Sequence, residues 1–81
     1  MNIKKPLVLN QPEVGMLIRE LRNSLGLTQD KFAAKLGVTL LTINRWENGR
    51  SKPSPLAMEK VEKLLFEMGE RGENLLSKYV N

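Results

Sequence analysis

Residues 29–48 constrain the fold more than any other part of the chain, because two short helical patterns meet there at one glycine, Gly37. Ala33 is small enough to lie where two helices cross, and Gly37 adopts the positive φ of a tight turn without a steric penalty. Five apolar residues have the spacing of one shared core: Phe32, Leu36, Val38, Ile43 and Trp46. Together these positions predict two helices packed steeply over a three-residue turn.

Three further helical patterns flank this pair, and no strand pattern is present. Pro12 suits the first turn of a helix, and Gly69 and Gly72 bracket a break before the last helix. The residues that suit N-caps are Thr28, Thr39 and Ser54. The helices are predicted over residues 12–25, 29–36, 40–47, 55–68 and 71–80. We therefore predict an all-α fold, a compact five-helix bundle over residues 12–81 that follows an N-terminal arm over residues 1–11.

Two sets of apolar residues outside the central helix pair have helical spacing, which predicts the side that each helix buries. The fourth helix is predicted to turn five residues towards the core: Leu56, Val61, Leu64, Leu65 and Met68. The last helix presents Leu75, Leu76, Tyr79 and Val80. This second set either closes the same core or forms a symmetric interface with a second copy of the chain.

The composition of the chain excludes most enzyme chemistry. The 81 residues suit one domain and include no Cys and no His, which removes disulfides, thiol nucleophiles, zinc sites built from these residues and every imidazole-dependent triad. No glycine-rich phosphate loop is present either. We expect no catalytic activity, no metal and no cofactor. Because no apolar run is long enough to span a membrane, we expect a cytoplasmic protein.

The positive charge is unevenly distributed along the chain, whose net charge is +4. Residues 1–52 contain nine lysines and arginines against four acids, whereas residues 53–81 contain four against five. The basic excess therefore lies in the part that carries the helix pair. A basic face favours nucleic acid as a partner, although many small proteins carry such a charge for solubility alone.

From Leu27-Thr28-Gln29 to the Lys-Pro-Ser-Pro run at residues 52–55, the chain resembles the Cro and phage-repressor type of helix-turn-helix domain, also called the XRE family. The resemblance covers about residues 14–68, and residues 43–50, Ile-Asn-Arg-Trp-Glu-Asn-Gly-Arg, are especially close to the end of the recognition helix in that family. It implies a lambda-repressor-like fold that binds double-stranded DNA, usually as a homodimer on a palindromic site. It also implies an internal salt bridge between Arg22 and Glu47.

The third helix is predicted to read bases with the side opposite its apolar face. The candidate residues are Leu40, Leu41, Asn44 and Arg45. Arg45 can donate two hydrogen bonds to guanine, whereas leucines can only pack against thymine methyl groups. Phage repressors often carry polar residues where this chain has Leu40 and Leu41, which predicts weaker direct readout there. Alternatively, one leucine turns inward or contacts another protein.

A second set of residues is predicted to contact phosphates, which positions a protein on DNA without reading sequence. Its members are Gln29, Thr39, Asn48, Arg50 and Lys52. Gln29 stands at the start of a helix, where free amides favour an anion, and the resemblance implies the same role. Glu47 would repel phosphate at this surface, which is a physical reason for it to point inward and pair with Arg22.

These observations predict a sequence-specific transcriptional regulator, a repressor, that places a recognition helix over residues 40–47 in the major groove of double-stranded DNA. We expect a homodimer associated with the nucleoid. The alternative is an antitoxin or another protein-interaction module whose DNA binding is autoregulatory. The Leu40–Leu41 pair and the apolar C-terminal residues favour that alternative, which would add a protein partner.

Overall fold

A computed structural model describes residues 8–80, which form five helices joined by short turns. The helices are α1 (Glu13–Ser24), α2 (Gln29–Leu36), α3 (Leu40–Glu47), α4 (Pro55–Glu67) and α5 (Glu70–Ser77). No strand occurs within residues 8–80, and the predicted all-α five-helix fold is confirmed. Residues 1–7 of the predicted arm, together with Asn81, lie outside the described residues. In the described range, no helix is both long and apolar enough to cross a membrane.

Three hydroxyl side chains begin three of the helices, as the sequence predicts. Thr28, Thr39 and Ser54 each accept a hydrogen bond from the backbone amide three residues further on, at 3.2, 3.1 and 3.2 Å respectively. Each such cap contributes about 1 kcal/mol relative to alanine. Gly37 ends α2 with a φ of 71°, a backbone conformation that residues with a Cβ rarely adopt. The turn between α2 and α3 therefore follows from local chemistry.

The core is centred on α1, which packs on α3 and α5, while α2 packs on α3 and α4. The α1 side chains at its centre are fully buried: Val14, Leu17, Ile18 and Leu21. They meet Phe32, Ala33 and Leu36 of α2 and Ile43 and Trp46 of α3. Burial of each large apolar side chain stabilises the fold by about 1.5–3 kcal/mol. Helix α1 thus packs against the buried side of the helix pair at residues 29–48.

The prediction that Leu56 faces the core is wrong, because this side chain is 64% exposed. Ala57 and Met58 are buried instead, together with Val61, Leu64 and Leu65. Leu56 precedes Val61 by five positions, which places it about 140° away around the helix. Val61, Leu64 and Leu65 are buried and Met68 packs against the core, as predicted, so the correction concerns Leu56 alone.

Gly72 does not bracket a break, which is a second correction to the prediction. It lies buried inside α5, and the break between α4 and α5 consists of Met68 and Gly69, whose φ is 63°. A Cβ at Gly72 would lie 1.9 Å from the backbone oxygen of Leu65. The glycine thus permits α4 and α5 to cross at close range.

The C-terminal apolar residues contribute to the core of the same chain. Leu75 is buried, and Leu76 and Tyr79 pack against the core cluster. The hydroxyl of Tyr79 donates a hydrogen bond to Glu20 of α1, which also accepts one from Lys78. Burial and the bond to Glu20 raise the pKa of Tyr79 to about 12. Of the two predicted roles for this apolar set, closure of the core is the one that these contacts support.

Candidate nucleic-acid interface

Helix α3 has one buried side and one exposed side. Ile43, Trp46 and Glu47 are buried against the domain. Leu40 and Leu41 are 48% and 56% exposed, so neither leucine turns inward. Asn44, Arg45 and Asn48 are also exposed. The four predicted base-reading residues therefore lie at the surface of a helix whose opposite side is fixed by the core.

A shallow depression on this surface brings several candidate residues together. It is lined by Leu41, Asn44, Arg45, Asn48, Arg50 and Ser51. The set includes three of the predicted base-reading residues and two of the predicted phosphate contacts. Within the depression, the side-chain amide of Asn48 donates a hydrogen bond of 3.1 Å to the Asn44 side chain. Leu40 and the other predicted phosphate contacts lie outside it.

The remaining phosphate candidates already make contacts within the domain. Gln29 is the first residue of α2, and its Nε2 donates to Glu47 Oε1 at 3.0 Å. Thr39 caps α3 and shares a hydrogen bond of 2.9 Å with the hydroxyl of Thr42. Lys52 Nζ donates to Asn10 Oδ1 at 3.0 Å. Gln29 keeps one further side-chain N–H, and its backbone amide has no partner within the helix.

Glu47 is a buried anion at the end of α3, and Arg22 of α1 neutralises it. Arg22 Nε lies 2.7 Å from Glu47 Oε2, and its Nη2 lies 3.0 Å from Oε1. A third donor, Arg22 Nη1, reaches the backbone oxygen of Leu27 at 3.0 Å. The structure thus contains the ion pair between Arg22 and Glu47. The pair joins α1, the α1–α2 turn and the end of α3.

Opposing effects set the pKa of Glu47. Burial alone would raise it, but the hydrogen bonds from Arg22 and Gln29 outweigh burial and hold the pKa below its ordinary value. The hydrogen bond to Glu47 in turn raises the pKa of Arg22. Glu47 is therefore an anion at neutral pH even though its side chain is buried.

Arg19 is a second arginine on Glu47 that the sequence reasoning missed. Its Nε lies 3.3 Å from Glu47 Oε1, and its Nη2 lies 3.4 Å from the Glu47 backbone oxygen. Arg19 precedes Arg22 by three positions, so the two side chains share one face of α1. That spacing is a signal which could have identified it.

Gln11 and Gly15 join the start of α1 to the end of α3. Gln11 Nε2 donates to the backbone oxygens of Trp46 and Ser51 at 2.9 and 2.8 Å, and its Oε1 accepts from the amide of Gly15. A Cβ at Gly15 would lie 2.3 Å from the Trp46 oxygen. The only sequence signal for this contact is a glycine inside a helical pattern, where it is intrinsically unfavourable.

Comparison with known proteins identifies the family of this chain. Residues 18–67 match the family described as Helix-turn-helix. A protein of Archaeoglobus fulgidus named as an uncharacterized HTH-type transcriptional regulator is 38% identical over 66 residues, which are 80% of this chain and 29% of that protein. A protein of the same name from Methanothermobacter thermautotrophicus is 45% identical over 49 residues, 60% of this chain and 71% of that protein.

A third relative extends the comparison beyond the archaea. The vegetative-specific protein H7 of Dictyostelium discoideum is 37% identical over 54 residues, which are 67% of this chain and 52% of that protein. No solved structure is a significant match. The chain thus spans less than a third of the Archaeoglobus protein and about half of the Dictyostelium protein.

The chain belongs to the XRE-type helix-turn-helix family, because the family match covers more than half of its residues. The two archaeal relatives carry the name of transcriptional regulators. The predicted helix-turn-helix family is therefore confirmed.

Proposed function

We propose that the protein is a sequence-specific transcriptional regulator that places α3 in the major groove of double-stranded DNA. The observation that carries this proposal is the division of α3 into two sides. Ile43 and Trp46 fix the helix in the core, and Arg45 remains exposed on a surface depression. An exposed helix of this width fits the major groove, where each base pair presents a distinct pattern of donors and acceptors.

Arg45 is proposed as the principal base-reading residue. Its guanidinium can donate two parallel hydrogen bonds to O6 and N7 of guanine, which discriminates against other bases by about 1–3 kcal/mol. Asn44 is a weaker candidate because its oxygen already accepts a hydrogen bond from Asn48. Leu40 and Leu41 can pack on thymine methyl groups. We therefore expect a site in which one guanine per recognition helix dominates the preference.

Phosphate contacts are proposed for the polar residues around α3 and at the start of α2. These are Gln29, Thr39, Asn48, Arg50 and Lys52. Lys52 must exchange its bond to Asn10 for a phosphate oxygen, and Thr39 offers its backbone because its hydroxyl caps α3. With about five phosphates neutralised, log K should fall against log salt with a slope near −4 to −5.

A single recognition helix supplies little specificity, and we propose that the protein acts as a homodimer. Eight helical residues extend about 12 Å, which covers only a few base pairs. Two copies whose helices lie one turn of DNA apart, about 34 Å, read a palindromic site. Repression is the proposed outcome, because a dimer on its operator excludes other proteins from the same DNA. Such a regulator acts in the cytoplasm, at the nucleoid.

Selection from random duplexes tests this function. Duplexes enriched by repeated binding are titrated beside scrambled versions at several salt concentrations. We expect the selected duplex to bind at least about 1,000-fold more tightly than the scrambled one near physiological salt. Its enriched motif should contain two inverted half-sites. Equal affinity for every sequence would contradict the proposal of a sequence-specific regulator.

A protein-interaction module with autoregulatory DNA binding is the second candidate function. The specific observation in its favour is the number of large apolar side chains at the surface. Leu40 and Leu41 are about half exposed, and Phe66 on α4 is 81% exposed. The C-terminal residues no longer support this candidate, since they pack in the core.

A further inference from the structure

We propose that Arg19 of α1 is a phosphate-binding residue of the DNA interface, in addition to being a partner of Glu47. This inference rests on the proposed function. Neither the sequence reasoning nor the family match assigns a role in binding to Arg19. Three observations carry it: the position of its guanidinium, the charge balance around Glu47, and the donors that remain unused.

The guanidinium of Arg19 lies beside the start of α2. Arg19 Nε and Gln29 Nε2 contact the same atom, Glu47 Oε1, at 3.3 and 3.0 Å. Gln29 and the first amides of α2 form the place where a phosphate is proposed to bind, because a helix N-terminus favours an anion. Arg19 Nη2 also reaches the backbone oxygen of Glu47, directly before Asn48. Arg19 is therefore adjacent to two proposed phosphate contacts.

The charge around Glu47 is positive overall. Arg22 alone neutralises the carboxylate through two short hydrogen bonds, and its side chain is only 15% exposed. Arg19 makes longer contacts and is 51% exposed. It therefore places a second positive charge at the surface against a single buried anion. This surplus removes the repulsion that Glu47 would otherwise exert on a phosphate at the same place.

The unused donors of Arg19 are available to a ligand. A guanidinium has five N–H groups, and Glu47 engages Nε and Nη2. Within residues 8–80, Nη1 makes no hydrogen bond. Nη1 can thus donate to a phosphate oxygen while Glu47 keeps both of its arginines. Charge-assisted bonds of this kind between arginine and phosphate are among the stronger ones in proteins.

The test measures the salt dependence of binding to the selected duplex for four proteins. They are the unaltered chain, Arg19→Ala, Arg19→Lys and Arg71→Ala. Arg71 is a matched control, because it is an exposed arginine on α5 whose Nη2 donates to the backbone oxygen of Ser24. Thermal unfolding of each protein reports structural damage separately from binding.

We expect Arg19→Ala to make the slope of log K against log salt less negative by about 0.9, the value for one phosphate. The corresponding loss of affinity at 0.1 M salt is about five- to tenfold. Arg19→Lys should keep the slope, because the positive charge remains. Since lysine cannot make both contacts of the guanidinium with Glu47, this variant should lower the midpoint of thermal unfolding as Arg19→Ala does. Arg71→Ala should leave the slope unchanged.

An unchanged slope in Arg19→Ala would overturn the inference and leave the proposed function intact. An equal change in Arg71→Ala would also overturn it, because the slope would then follow net charge. If the unaltered chain binds no duplex in a salt-dependent way, the proposed function fails together with the inference.

Discussion

The Glu47→Ala substitution is expected to lower the free energy of unfolding by about 3–5 kcal/mol, because removal of one partner of a buried ion pair leaves the other charge uncompensated. Arg22 would lose its two bonds to the carboxylate, and Gln29 and Arg19 would each lose one, while the contact of Arg19 with the backbone oxygen remains. Small domains are stable by only about 5–15 kcal/mol, so this change removes a large part of the total.

Urea unfolding followed by fluorescence measures this loss directly, because the chain has one tryptophan, the buried Trp46. Glu67→Ala is the matched control, because Glu67 is an exposed acid on α4. Its stability should change by no more than about 0.5 kcal/mol. Equal losses in the two variants would show that the buried ion pair adds no more to the free energy of unfolding than an exposed acid does.

The same variant should lose part of the dependence of stability on pH. The pKa of Glu47 is lower in the folded protein than its ordinary value of 4.5. Its contribution is therefore fully present above pH 4.5 and is lost as the pH falls through the lower pKa of the folded state. In Glu47→Ala, this portion of the acid destabilisation should be absent from a series of urea curves.

The second large change in stability is expected from Gly15→Ala. It should destabilise the protein, although a change from glycine to alanine inside a helix is usually stabilising. Glycine to alanine inside a helix normally stabilises by about 1 kcal/mol. Here the new Cβ would lie 2.3 Å from the Trp46 backbone oxygen and 2.8 Å from Gln11 Oε1. A backbone oxygen cannot rotate away, so α1 and α3 must separate. Overpacking of this kind costs about 1–3 kcal/mol and occasionally more.

We therefore expect Gly15→Ala to lower the midpoint of thermal unfolding and to weaken DNA binding, because α3 is displaced from its support. Asn23→Ala is the control, because Asn23 is an exposed position on the same helix and its replacement by alanine also improves helix propensity, although by less. Its midpoint should stay the same or rise. A Gly15→Ala protein as stable as the unaltered chain would mean that the close approach of α1 and α3 is not required.

The helix pair was predictable because its determinants are local. Thr28, Thr39 and Gly37 act on the backbone within a few residues, and the apolar spacing of Phe32 and Ile43 is visible in the sequence. Such signals need no knowledge of what the helices pack against. The family, the fold and the exposed side of α3 follow from them.

The errors arise where distant segments meet. The exposure of Leu56 depends on how α4 is rotated towards the core, and the burial of Gly72 depends on where α4 crosses α5. Gln11 and Arg19 were missed for the same reason, since each bonds to residues at least 28 positions away. The predicted contacts with bases and phosphates remain predictions, because they depend on a partner that the chain does not contain.

The central claim is that the exposed side of α3 reads the bases. The affinity of Arg45→Ala for the selected duplex tests this claim most directly. Lys63→Ala, an exposed lysine on α4, is the control, and thermal unfolding should be unchanged in both variants. We predict that Arg45→Ala binds about 5- to 150-fold more weakly than the unaltered chain and no longer prefers guanine at one position of each half-site. Unchanged affinity and unchanged base preference would contradict the account.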